Sequence, residues 1–220
     1  IEQPMDFFHD PLVRAGLYKL NDEKYILLLV IHQILCDQYS EVLIAREFSR
    51  LYNANHEAKL ETLDIQYSDY ASWQRKQLQQ GVWETQKNYW LKKLNNLPPL
   101  LDIPTDFPRS DLPDNNPSAK ESLLLPLDIA NMLQDIQLDE GIGLYEVLLS
   151  AYIALLHLYT GEEDIIVAIP ASGRVLAETK NMIGQFTNTL PFRINLSNIT
   201  NFKELLQEVT TTMHDLYCHH

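Results

Sequence analysis

The sequence has 220 residues, room for one large domain or two small ones. Apolar residues make up 45% and charged residues 21%, ordinary globular proportions that argue against intrinsic disorder or a fibrous architecture. Lys plus Arg number 17 against 30 Asp plus Glu, a formal charge of −13; this argues against nucleic acid or an anionic membrane as the main partner, though not against a local basic patch. Cys36 and Cys218 lie far apart with no CxxC, so neither a disulfide framework nor a zinc site is expected, and a reducing, cytoplasmic setting is the simpler expectation. No run of 18 apolar residues predicts a transmembrane helix. The sequence opens on Ile1 without Met or a basic leader, and reads as a piece of something longer.

In chain order, residues 17–20 and 25–35 (YILLLVIHQIL) read as two strands joined by a turn at Asn21-Asp22-Glu23. The second is continuously apolar, which predicts burial on both faces. Ser40 is placed to cap a helix carrying Val42, Leu43, Ala45, Phe48, Leu51 and Tyr52 on one side. Residues 53–63 are polar and looped; 66–97 are helical with a break near Gly81. Residues 97–117 hold six prolines (Pro98, Pro99, Pro104, Pro108, Pro113, Pro117), which predicts an extended linker. Beyond it, 121–127 reads as a strand and Asp128 as the cap of a helix to Leu138. Leu144–Thr160 is apolar nearly all round, predicting a buried helix ended by Gly161. Residues 164–169 and 190–196 are buried strands, and Asn201 with Glu204 opens a helix to about Tyr217. Helices and strands on both sides of the linker predict two α/β lobes.

Chemistry concentrates in residues 31–40, IHQILCDQYS. A histidine at a strand end, Asp37 five residues on and a helix start at Ser40 place polar groups at one strand-to-helix turn, where functional sites gather. His32 can take a proton there, and Asp37 can pair with a cation and brace the turn. A lone strand-end histidine is more often a satisfied structural residue.

This segment resembles the core motif of nonribosomal peptide synthetase condensation domains, in which two adjacent histidines precede three variable residues and Asp-Gly. YSDYASW (67–73) is similar to the family's Tyr-x-Asp-Tyr-Ala-x-Trp, and PTDFPR (104–109) to its Pro-x-Asp-x-Pro-Arg. DIIVAIPASGR (164–174) and IGQFTNTLPFR (183–193) resemble its second-lobe motifs. The resemblance implies a two-layer α/β fold of two chloramphenicol acetyltransferase-like lobes, each only partly covered. Residues 1–97 would be the C-terminal part of the first lobe, 98–118 a Pro-rich linker and 119–220 the N-terminal part of the second. It implies amide formation between acyl and aminoacyl groups carried on the phosphopantetheine of carrier proteins, with no bound cofactor or metal. The implied partners are acidic peptidyl carrier proteins, neighbouring synthetase modules and a tailoring enzyme, with neither nucleic acid nor membrane among them.

The departures matter equally. The family's second histidine, assigned to positioning or deprotonating the acceptor amine, falls on Gln33, which hydrogen-bonds but takes no proton near neutral pH. Loss of a general base costs roughly 10² to 10⁴ in rate. The family's glycine falls on Gln38, while His32 argues against the heterocyclising branch, which carries aspartate there. By resemblance the site comprises His32, Gln33 and Asp37, supported by Arg174, Ser40 and Asn188, with Asp37 in a buried ion pair to Arg174 and His32 structural. The alternative is a catalytically idle module that docks carriers or recruits a tailoring enzyme; a free-standing coenzyme A acyltransferase is a third possibility that the motif set disfavours. Cys36 reads as a small apolar filler rather than a nucleophile, and Cys218, His219 and His220 lack a fourth metal ligand. Tyr67, Tyr70 and Trp73 read as core. Arg75-Lys76 and Lys92-Lys93 are solvated spots or contacts for an acidic carrier.

Overall fold

Residues 5–54, 58–106 and 119–220 are described by a computed structural model. Pro108, Arg109, Pro113 and Pro117 of the expected linker lie outside them. Strand β1 (Val13–Lys19) pairs antiparallel with β2 (Tyr25–Ile31), in register from Val13 against Ile31 to Lys19 against Tyr25. Asn21 Oδ1 accepts the Glu23 and Lys24 amides and so closes the turn. Because the pairing uses all of β2, β1 begins four residues earlier than position 17. Strand β2 ends at Ile31, where His32 turns the chain. It is not buried on both faces: Leu27 and Leu29 are each 40% exposed. Its only sheet neighbour among the described residues is β1, and a two-stranded ribbon leaves its faces open.

Helix α1 (Gln38–Asn53) is capped by Asp37, not by Ser40, which sits inside the first turn and gives its amide to the Asp37 carboxylate. Of its expected apolar face Leu43 is buried, whereas Val42, Phe48 and Tyr52 are exposed. Helix α2 (Tyr67–Gln79) opens where Asp69 accepts the Gln66 amide. It stops ahead of Gly81, whose φ of 69° no ordinary side chain favours, and α3 (Glu84–Lys93) follows. Tyr70, Met182 and Phe186 form a small core, with Leu63, Ile65, Tyr67 and Leu176 packed against it.

Residues 121–127 do not form a strand; Leu123 and Leu124 are exposed, and no ladder partner exists for them among the described residues. Helix α4 (Leu127–Glu140) starts straight after Pro126, so Asp128 lies in its first turn rather than capping it, and Gly141 ends it in the left-handed region. Helix α5 (Leu144–Thr160) ends on Gly161 at φ 72°. Only one face of it is buried: Val147, Ile153 and Leu156 point inward while Tyr152, Leu155 and Leu158 are exposed. Strands β3 (Asp164–Ala171) and β4 (Asn188–Asn195) form the second sheet, and α6 (Phe202–Cys218) follows. Asn201 Oδ1 accepts the Glu204 amide, and the Glu204 carboxylate accepts the Thr200 amide and hydroxyl. The fully buried Ile153, Ile165, Phe192 and Val209 make the larger core.

The chain divides into two compact units: the described parts of Ile1–Trp83 with Pro170–Asn188, and those of Glu84–Ile169 with Thr189–His220. This division differs from one drawn at the prolines, because 170–188 groups with the first unit and 84–97 with the second. Among the described residues no single helix is long and apolar enough to cross a membrane; α4 and α5 pass only as a pair bent by 110°.

Candidate functional site

Within the first unit, the turn 32–37 is fixed at both ends. His32 gives its amide to Leu12 O (2.9 Å), and its ring Nδ1 accepts the Ile34 amide (3.1 Å). An acceptor Nδ1 puts the ring proton on Nε2, and Phe7 meets the ring edge-on at 4.5 Å. His32 therefore shapes the turn. Gln33 projects from it and lines an open cleft of about 650 Å³, together with Gln38, Glu41, Ser172, Gln185 and Thr187.

Asp37 anchors the far end. Its Oδ1 accepts the Ser40 amide (2.8 Å), the Ser40 hydroxyl (2.7 Å) and Arg174 Nη2 (2.9 Å), and its Oδ2 accepts the Phe186 amide (3.2 Å). The side chains of the ion pair are 5% and 3% exposed. Arg174 also donates Nη1 to the Thr179 and Met182 carbonyls, at 2.5 and 2.6 Å, and its guanidinium lies over the Phe186 ring at 4.1 Å. Ser40 Oγ has one proton to share between Asp37 and Gly184 O (2.9 Å), and it accepts Arg174 Nη2 (2.7 Å) and the Gly184 amide (3.0 Å). Burial pushes the Asp37 carboxyl up, but the Ser40 hydroxyl and amide, Arg174 and Phe186 outweigh it and hold the carboxyl below its ordinary range.

Two glycines make this approach possible. A Cβ on Gly184 would stand 2.1 Å from Tyr67 Cδ2, and one on Gly173 would stand 2.3 Å from Phe186 O, which accepts the Gly173 amide. Tyr67 completes the clasp, its hydroxyl donating to Gln185 O at 2.7 Å. Reading the sequence alone left Gly173, Gly184, Phe186 and Tyr67 without these roles. For Gly184 and Phe186 the signal was the run IGQF, where a glycine two residues before an aromatic permits close backbone contact; Gly173 and Tyr67 carried no such signal.

The structure thus gathers Asp37, Ser40 and Arg174 into one network, with Gln33 on the adjoining cleft and His32 behind it. Asn188 is exposed at the start of β4 and does not line the cleft. Cys36 is buried and donates to Asp37 O; burial first, then the charges of Glu41 and Asp37, push its thiol up, the reverse of a nucleophile. In the second unit, His219 stacks on Tyr89 at 3.9 Å and accepts the Trp90 indole N–H on its carbonyl. Among the described residues no three His, Cys, Asp or Glu side chains gather into a metal site. Tyr67 and Tyr70 pack in the small core, whereas Trp73 is 37% exposed against Trp83. Lys92 and Lys93 share a separate cleft with Asp164, Glu208 and Asp215.

A family model described as "Condensation domain" matches residues 1–220. The chain belongs to the condensation-domain family. Tyrocidine synthase 3 of Brevibacillus parabrevis is 37% identical over 219 residues, covering 99% of this chain and 3% of that protein. The X-domain from teicoplanin biosynthesis superposes with a TM-score of 0.87 at 23% identity, over 99% of this chain and 50% of that one; its complex with OxyB has also been solved. The four-domain nonribosomal peptide synthetase holo-AB3403 gives 0.84 at 26% identity, over 99% of this chain and 16% of that one. The chain spans a small fraction of its curated relatives and about half of the X-domain. Its fold is that of condensation domains, α/β and chloramphenicol acetyltransferase-like.

Proposed function

We propose that the chain is the central part of a nonribosomal peptide synthetase condensation domain that joins a carrier-tethered acyl or peptidyl donor to an aminoacyl acceptor. Residues 1–97 are then the end of a first lobe, 98–118 the linker and 119–220 the start of a second. Membership of the family supports the reading, as does 37% identity to a peptide synthase along almost the whole chain. The observation that carries it is the cleft, where Gln33 is presented beside a turn that Asp37, Ser40 and Arg174 hold rigid.

In the step, the neutral acceptor nitrogen attacks the donor thioester carbonyl. A C–N bond forms and the C–S bond breaks; the departing phosphopantetheine thiolate takes up the proton that the nitrogen loses. Gln33 orients the amine through its side-chain carbonyl but takes no proton, so the amine must be neutral by the time it attacks. Tethering both substrates makes the encounter effectively intramolecular, and a thioester brings its own leaving group. His32 and Asp37 act by shaping the turn, Arg174 and Ser40 by holding Asp37, and Asn188 by supporting the strand beside the site. Acidic carrier proteins and neighbouring cytoplasmic synthetase modules are the partners of this reading.

One observation favours a second reading. Gln33 supplies no base, and Gln38 sets a long side chain in the same cleft, as befits an idle domain that recruits a tailoring enzyme. Comparing the full-length domain with its Gln33→His variant, using loaded donor and acceptor carriers, separates the two. Condensation predicts wild-type amide product at a rate that rises with pH as the neutral amine fraction grows. Folded protein that makes no product with loaded carriers supports the recruiting module and overturns condensation.

A further inference from the structure

The cleft beside Asp37 contains one charge that nothing in the described chain answers. The Asp37 carboxylate is neutralised by Arg174 and engaged on both oxygens. Gln33, Gln38, Gln185, Ser172 and Thr187 are neutral, and among the described residues no Lys, Arg or His lines the cleft. Glu41 remains. Its amide bonds to Asp37 O at 3.1 Å, which fixes its backbone in the first turn of α1. Its exposed side chain lines the cleft, with no hydrogen bond or ion pair among the described residues. The side-chain amides of Gln33 and Gln38 likewise have no partner there. The Glu41 charge is felt within the site, since it stands second after burial among the causes that raise the Cys36 thiol.

A free carboxylate flanked by unengaged amide oxygens, in a cleft otherwise neutral, complements a compact cation with several N–H donors. A primary ammonium has three. We propose that Glu41 is a positioning residue that receives the ammonium form of the aminoacyl acceptor, with Gln33 and Gln38 accepting its remaining N–H donors. This rests on the condensation reading and adds to it a selection of amine-bearing acceptors at the binding step. The sign of the effect is specific. A carboxylate favours the charged amine, whereas attack requires the neutral one. Glu41 therefore strengthens ground-state binding without speeding the chemical step, and its loss raises the acceptor KM while leaving kcat unchanged or slightly higher.

The test is binding to the full-length domain by calorimetry, with two unreactive probes. One is a glycyl-pantetheine in which an amide replaces the thioester; the other is its acetyl counterpart, which lacks the amine. Wild type is expected to bind the glycyl probe about 1.5- to fivefold more tightly, the range for an ion pair that is open to solvent on one side. Glu41→Gln should abolish that preference and leave acetyl-probe affinity unchanged, while Glu41→Asp should restore part of it. Raising the salt to about 0.5 M should narrow the wild-type preference. Equal affinity of wild type for the two probes, binding of neither, or a preference that survives in Glu41→Gln overturns the proposal. Because no turnover is needed, an idle domain that keeps the preference refutes the condensation step alone. Turnover without the preference refutes the role of Glu41 alone.

Discussion

A carboxylate that is 3% exposed stays charged only where donors replace the water it has lost, and Asp37 receives four hydrogen bonds on its two oxygens. Because its folded pKa lies below that of an unfolded aspartate, near 3.9, Asp37 contributes stability that is present in full above about pH 4. That contribution is lost as pH falls through the folded value. Urea midpoints measured from pH 6 to pH 2 should therefore fall on the acid limb, and Asp37→Asn should flatten that limb. An equally steep limb in the variant would assign the acid loss to other groups. Removing the cation is harsher: Arg174→Met leaves a buried, uncompensated charge and should cost about 3–5 kcal/mol. From the residues alone Asp37 was legible as a brace for the turn that could pair with a cation; that the cation is Arg174, at the end of PASGR, came from the resemblance to condensation domains. The sequence did not show that Asp37, rather than Ser40, caps α1. Both types cap helices well, and the choice turned on Ser40 being drawn inward by Gly184. Gly184→Ala is predicted to cost at least about 1–3 kcal/mol through overlap with the Tyr67 ring. If that overlap is the cause, pairing the change with Tyr67→Ala should cost less than the sum of the two single variants in a double-mutant cycle.

At the scale of elements, legibility followed how much of an element's partner set lies in the chain. Strands β3 and β4 share a sheet, and the apolar positions of both strands and of helix α6 are buried, Ile165, Phe192, Ile194, Val209 and Met213 among them, so these elements were readable. Residues 121–127 carry a strand-like pattern, and β2 carries the pattern of a doubly covered strand, yet neither finds those neighbours among the described residues. An apolar pattern states what a segment can bury, while the ladder and facing layer decide whether it does. Helix α5 shows the same limit: it is apolar all round but buried on one face only. Its two faces should respond differently to truncation. Ile153→Ala, at 0% exposure, is expected to cost about 2–5 kcal/mol, whereas Leu158→Ala, at 80%, should stay within roughly 0.5 kcal/mol. Chemical denaturation of this chain measures both, and equal losses would refute the one-sided packing of α5.

Across the whole molecule, the path of the chain couples the site to a core that contributes no residue to it. Pro170–Asn188 brings Arg174, Gly184 and Phe186 to Asp37, and it leaves the second unit as the end of β3 and returns to it as the start of β4. Both ends of the segment are thus held in one sheet. Melting that sheet frees the ends together, and an Arg174 on an unanchored loop pays the entropy of ordering before it can meet Asp37. Phe192 is fully buried in β4, so Phe192→Ala should destabilise the sheet by about 3–5 kcal/mol. The amides of Gly173 and Phe186, bonded to Phe186 O and Asp37 Oδ2, report on the segment directly. Native-state hydrogen exchange of these two amides should accelerate in Phe192→Ala by nearly the factor seen for amides within β3 and β4. The Ile34 amide, held by His32 through the turn alone, should accelerate less. Were Gly173 and Phe186 to keep wild-type protection while the strand amides lost theirs, the ion pair would be holding the segment without help from the sheet. In that case Arg174→Met, in place of Phe192→Ala, would be the change that releases it.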